Sequence, residues 1–197
     1  MLRRYFTMKK QNIFNIIHVI IYLIYALCIG YFVTVRDFRS IILSILSLIG
    51  IIILVILNKK YNHLFGNLLV TTLIIFIPIA IIGGTCFDFY RFNHFDDVLH
   101  ITSGFIGCMA AKIIFYFSQN ETNTRRKRLF FVIYMFMFSM GVASIWELIE
   151  FGLDKYLGFD CQAGGLTDTM FDILDCLVGS IIATTYYYFK IKKQDVN

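Results

Sequence analysis

"RRKRLFFVIYMFMFSMGVASIWELIEFG" (residues 125–152) decides how this chain folds. Four consecutive bases, Arg125, Arg126, Lys127 and Arg128, precede an almost wholly apolar run that starts at Leu129. The run closes on Trp146, Glu147 and Glu150. A helix rises about 1.5 Å per residue, so some 20 apolar residues cross the roughly 30 Å of bilayer hydrocarbon. In lipid every backbone N–H and C=O needs a partner within the protein, which leaves the helix as the natural state of such a run. The stretch therefore reads as a transmembrane helix with bases at one end and acids at the other.

The rest of the chain follows the same plan. Of its residues 58% are hydrophobic and 16% charged, with a single proline. Soluble domains average about 45–50% apolar and about 25% charged. Spans are expected at residues 12–34, 40–57, 67–84, 97–118, 129–151 and 171–189. The expected fold class is all-α: a polytopic membrane helix bundle of about six transmembrane helices, forming one integral membrane domain over residues 1–197. The first run follows Arg3, Arg4, Lys9 and Lys10 as a signal peptide would. It is too long for an h-region of about 7–15 residues and lacks a small-x-small cleavage site, so it reads as a retained span. Pro78 with Gly83 and Gly84 predicts a kink or an early end in the third span.

Basic residues orient the helices. The N-terminal tail, the Lys59–Lys60 loop, the 125–128 loop and the tail with Lys190, Lys192 and Lys193 carry thirteen bases. The alternate loops carry only Arg36, Arg39, Arg91 and Lys155. The positive-inside rule then puts both termini in the cytoplasm of a multi-pass cell-membrane protein. Lys112 is expected to snorkel towards that side, and Tyr186, Tyr187 and Tyr188 to mark the inner interface. Because the basic clusters are short and abut spans, membrane lipids account for them and no nucleic-acid partner is expected.

Acids have the opposite distribution. Glu121 and Asp195 fall on the cytoplasmic side, while Asp88, Asp96, Asp97, Glu147, Glu150, Asp154, Asp160, Asp168, Asp172 and Asp175 gather at the outer ends of spans three to six. Arg91 and Lys155 cannot neutralise these ten. By helical rise, Glu147 lies about 27 Å along span five, Asp175 about 6 Å into span six and His100 about 4–5 Å into span four. Three helices thus place ionisable groups at one level. Residues three or four apart share a helix face, which predicts Asp96 and Asp97 reaching His100, Glu147 beside Glu150, and Asp168, Asp172 and Asp175 in one stripe. Gly104, Gly107, Gly141 and Gly179 are positions where helix backbones are able to approach closely.

Carboxylates with an imidazole, supplied by facing helices, suit a divalent metal ion: Mg²⁺, Ca²⁺ or Mn²⁺ by oxygen ligands, Zn²⁺ or Fe²⁺ once histidine joins. The candidate ligands are Asp96, His100, Glu147, Glu150, Asp168, Asp172 and Asp175. Glu147 and Glu150 are also the candidate catalytic bases. The competing reading is that these are helix ends meeting water. The macrodipole favours acids at a helix N-terminus and so accounts for Asp96, Asp97, Asp168 and, further along, Asp172, but it disfavours Glu147 and Glu150 near a C-terminus. Asp88, Asp154 and Asp160 read as solvated loop charges, and Trp146 as an interfacial anchor. Cys28, Cys108 and Cys176 read as packing residues, while a disulfide between Cys86 and Cys161 is permitted outside the cytoplasm. His18 and His63 show no evident partner.

Three blocks, "DDVLHITSG" (96–104), "WELIEFG" (146–152) and "DTMFDILDCLVG" (168–179), resemble the motifs of the YjdF-like inner-membrane proteins, which are similar to the broader VanZ-like group. The resemblance covers residues 85–185 and rests on Asp96, His100, Gly104, Trp146, Glu147, Glu150, Asp168, Asp172 and Gly179. Asp97 stands where the family often has a base, and Asp175 adds an acid. VanZ-like members are associated with glycopeptide (teicoplanin) resistance. The resemblance therefore implies an architecture and a residue set without a substrate. The function expected is a metal-dependent enzyme or binder of a lipid-linked or cell-envelope ligand. The alternative is a cation or proton transporter or a non-enzymatic envelope accessory protein, although a transporter site normally lies near the midplane.

Overall fold

A computed structural model describes residues 2–61, 64–118, 125–158, 161–162 and 165–194. His63, Glu121, Asp160 and Asp195 lie outside the described residues. Six α-helices are present: α1 (Leu2–Val35), α2 (Phe38–Lys60), α3 (Gly66–Pro78), α4 (Phe95–Ser118), α5 (Arg125–Leu157) and α6 (Leu166–Gln194), with no strand among the described residues. Five segments are long and apolar enough to cross a membrane: Asn12–Val35, Phe38–Lys60, Gly66–Cys86, Phe95–Phe115 and Arg128–Leu157. The sixth expected span, 171–189, is helical throughout. At 29 residues α6 has the length to cross, but Asp168, Asp172, Asp175 and three late tyrosines dilute its apolar run.

The packing is organised as two compact units, Met1–Phe92 and Asn93–Asn197. Within the first, polarity is turned inside out relative to a soluble protein. Helix α2 buries Ser40, Ser44, Ser47, Ile51 and Asn58 along one face. Ile42, Ile45, Leu46, Ile49, Ile52 and Ile53 on its other face stay exposed. Small polar residues inward and apolar residues outward suit lipid, where burial of hydrocarbon gives no drive and close packing with hydrogen bonds does. Tyr25, fully buried, donates to Ser47 Oγ at 3.0 Å, and Ser47 donates to Ser44 O at 3.0 Å. His18 does have a partner, Thr71 Oγ1 at 3.3 Å on α3. Sequence spacing could not reveal it because the two are 53 residues apart.

Turns follow from local chemistry. Arg36 adopts φ 59°, reversing the chain after α1, and Asp37 caps α2 by accepting from Ser40 N at 3.1 Å. The bonds from Ser40 hold the Asp37 carboxyl below the ordinary carboxylate range. Pro78 has no N–H for the helical ladder and its ring crowds the preceding turn. There α3 gives way to a π-helical segment, Ile79–Cys86, which carries the chain through Gly83 and Gly84. The early end expected of span three is thus a change of helix type.

In the second unit α4, α5 and α6 pack together. At Gly104 a β-carbon would lie 2.5 Å from Cys176 O, and at Gly179 it would collide with Ile101 O. At Gly107 it would lie 2.5 Å from Ser139 Oγ. These three glycines let backbones touch. Gly141 does not, since nothing lies within 4 Å of the position its β-carbon would take. Ser139 donates to Gly104 O at 2.9 Å, and Ser180 donates to Ser139 Oγ at 2.9 Å, tying all three helices through a buried hydroxyl chain. Further along, Cys108, Ala111, Phe115, Phe131, Met135, Ala183 and Ile191 form the apolar core. Lys112 lies with its Nζ 4.9 Å from the Tyr187 ring centroid, a cation–π seat for the buried stem.

Overpacking a tight helix contact costs about 1–3 kcal/mol. Gly179→Val is therefore expected to lower the thermal unfolding midpoint of the detergent-purified protein by several degrees. Gly141→Ala, with open space and better helix propensity, should leave it unchanged or raised.

Candidate functional site

The glycine crossing sets the site. His100 lies one turn before Gly104 on α4, and Asp172 lies two turns before Gly179 on α6, so the contact draws both side chains towards the same place. His100 Nε2 is 3.3 Å from Asp96 Oδ1 and 3.6 Å from Asp172 Oδ1. Both neighbours of Nε2 are carboxyl oxygens, so a hydrogen on this nitrogen has two acceptors in reach. The other ring nitrogen, Nδ1, lies 3.8 Å from Cys176 Sγ. Ser103 supports the group, donating to His100 O at 2.8 Å with its Oγ 3.0 Å from Cys176 Sγ.

Helix α5 supplies the opposite wall. It runs to Leu157, so Glu147 and Glu150 stand two to three turns inside a continuous helix and not at a frayed end. Glu147 is 5% exposed and Asp172 4%. Glu147, Glu150 and Asp172 each offer an oxygen within 4.8 Å of the others, and Asp96, His100 and Asp172 form a second such group. Glu147 Oε2 is buried with no hydrogen-bond partner. Among the described residues, neither lysine nor arginine pairs with Glu147, Glu150 or Asp172.

Magnitudes decide what this means. Two unit charges 4 Å apart repel by about 4 kcal/mol at an effective dielectric of about 20. Three mutually close carboxylates face three such terms, and a single imidazole shared with Asp96 cannot cancel them. Protons or a cation must. Oxygens held on one cation at about 2.1–2.5 Å are at most about 4–5 Å apart. The observed spacing satisfies that limit.

Other expected residues are placed differently. Asp97 turns away from His100 and pairs with His94 Nδ1 at 2.6 Å, because one residue rotates the helix by about 100°. Asp168 and Asp175 are half-buried on α6 and lie outside both close groups. Trp146 is 52% exposed. Asp154 is not a free loop charge. It lies within α5 and accepts from Cys161 N at 2.7 Å and Gln162 N at 2.8 Å, folding the following loop back on the helix. Gln162 then donates to Thr169 Oγ1 at 2.6 Å, bridging to α6 beside the site. No helical spacing announces Gln162, since it belongs to a loop. Cys176, read from the sequence as packing, is the residue that backs His100; its position four residues after Asp172 was the available signal. All five cysteines are free thiols, Cys86 and Cys161 included.

The Asp154 clamp yields an expected outcome. Asp154→Ala should speed hydrogen exchange at the Cys161 and Gln162 amides, read by mass spectrometry, with little change in the α4–α6 core amides.

No curated protein and no solved structure matches this chain. A family described as "Predicted membrane protein (DUF2238)" matches residues 16–193, which takes in all three motif blocks and reaches well beyond them. The YjdF-like proteins are this family. The chain is a multi-pass membrane protein that belongs to the DUF2238 family.

Proposed function

We propose that the second unit binds a divalent cation through Glu147, Glu150 and Asp172. The observation that carries this reading is the Glu147 Oε2 atom, buried, without a hydrogen-bond partner and set within reach of two further carboxylates. A buried unpaired acceptor costs about 1–3 kcal/mol, more if charged. A cation removes that cost and the mutual repulsion together. All-oxygen ligation favours Mg²⁺, Ca²⁺ or Mn²⁺. His100 then orients Asp172 from behind.

The positive-inside distribution supports both termini in the cytoplasm and the acidic site at the opposite, extracytoplasmic face. A ligand reaching it there is a lipid-linked or envelope-derived molecule. The cation would hold its phosphate or carbonyl oxygen, and whichever of Glu147 and Glu150 is released from the metal would serve as base. The resemblance of the motif blocks to YjdF-like proteins, which are similar to the VanZ-like group, would fit an envelope ligand.

Purified full-length protein should bind Mn²⁺ or Mg²⁺ and gain thermal stability with rising cation concentration, by about 2.7 kcal/mol at a hundredfold excess over Kd. Glu147→Gln should stay folded and lose most of that shift. Equal stabilisation of wild type and variant, or none in wild type, would sink the reading. Orientation is checked separately. A variant keeping only Cys161, an exposed thiol, should react with a membrane-impermeant maleimide from outside intact cells.

A further inference from the structure

We infer that the site is built for two divalent cations bridged by the Asp172 carboxylate. The inference rests on the cation-binding reading above and extends it to the second group of side chains. Asp172 is common to both: it groups with Glu147 and Glu150, and also with Asp96 and His100. A carboxylate with two oxygens is able to give one to each metal, as in carboxylate-bridged helix bundles, where two ions sit about 3.5–4 Å apart.

Charge balance points the same way. Asp96, Asp172, Glu147 and Glu150 bring four negative charges when ionised. One divalent cation leaves two of them unmatched, and a protonated His100 beside it still leaves one, in a site whose Asp172 and His100 side chains are 6% and 11% exposed. Two divalent cations match all four with His100 neutral. Unmatched charge within a membrane segment is what such proteins avoid.

The imidazole is arranged for the second ion. Its Nε2 edge looks at Asp96 and Asp172, with 3.3 and 3.6 Å separations typical of atoms sharing one metal. A histidine that ligates through one nitrogen normally uses the other for a supporting hydrogen bond. Nδ1 has that partner in Cys176 Sγ, which itself is fixed by His100 O at 3.3 Å and Ser103. The cation would take the place of a hydrogen on Nε2, that proton leaving to water, and the remaining ring hydrogen would sit on Nδ1 towards Cys176 Sγ. Glu147 Oε2, unpartnered and more than nine-tenths buried, marks the cluster that shares Asp172 with this group as one that takes a ligand.

The test is metal stoichiometry on the full-length protein, loaded with Mn²⁺ in detergent and desalted. Wild type should carry two Mn²⁺ per chain and show an exchange-coupled paramagnetic resonance spectrum. His100→Ala and Asp96→Asn should each retain one Mn²⁺ with an isolated-ion signal, and Asp172→Asn should lose both. Asp96, the more exposed of the pair, serves where His100→Ala fails to fold, judged by size exclusion and circular dichroism. One uncoupled Mn²⁺ in wild type overturns the bridged pair and leaves the single site standing. Two ions persisting in both His100→Ala and Asp96→Asn overturn the assignment of the second. No stoichiometric Mn²⁺ in wild type overturns both readings.

Discussion

Everything at the site hangs on the contact of α4 with α6 at Gly104 and Gly179. Neither position tolerates a β-carbon without collision, one against Cys176 O and the other against Ile101 O. Ile101 adjoins His100, and Cys176 lies one turn from Asp172. A side-chain ridge at this crossing would move the helices apart by ångströms and dissolve the 3.3 and 3.6 Å spacings around Nε2. Ser139 closes the triangle by donating into the same crossing from α5, which sets the height at which Glu147 faces Asp172. Backbone proximity, and not any strong local propensity, thus positions the chemistry.

The same unit shows why lipid as solvent changes the rules of packing. Apolar side chains gain nothing by leaving hydrocarbon for a protein interior, so helices associate through small residues and hydroxyl bonds. Ser139, Ser180, Gly104 and Gly179 accordingly occupy the helix crossing, and many isoleucines and leucines face outward, while Phe115, Phe131 and Ile191 stay in the apolar core. Carboxylates are then the costliest residues to bury. Three of them placed together, with no lysine or arginine paired to them among the described residues, break the local rule that elsewhere governs the chain. Natural proteins break such rules chiefly where a ligand or reaction repays them.

Much of this was legible from the chain alone, and the part that was not has identifiable causes. Helix number and extent followed from apolar runs, because span length is set by bilayer thickness. Depth counting at 1.5 Å per residue put His100, Glu147 and Asp175 at one level; the close groups contain His100 and Glu147, with Asp172, about one turn earlier on the helix, in place of Asp175. Asp97 was misplaced beside His100 because an i, i+3 relation permits two neighbours, and His94 competed for it from the preceding turn. Gly141 looked like Gly107, yet only one of them faces another helix. Gln162 and the Asp154 clamp lie in a loop, where no period operates. His18 and Thr71 meet across helices.

Sequence by itself determined the all-helical membrane class, five segments long and apolar enough to span, and the residue types near their ends. These depend on single-helix properties: length, hydropathy and the 3.6-residue period. Tertiary structure alone decided which acids converge, that Asp172 belongs to two groups at once, that Cys176 backs His100, and that Glu147 keeps an oxygen without a partner. Those facts depend on how far each helix is rotated about its axis against its neighbours. That rotation is set by where glycine lets two backbones touch.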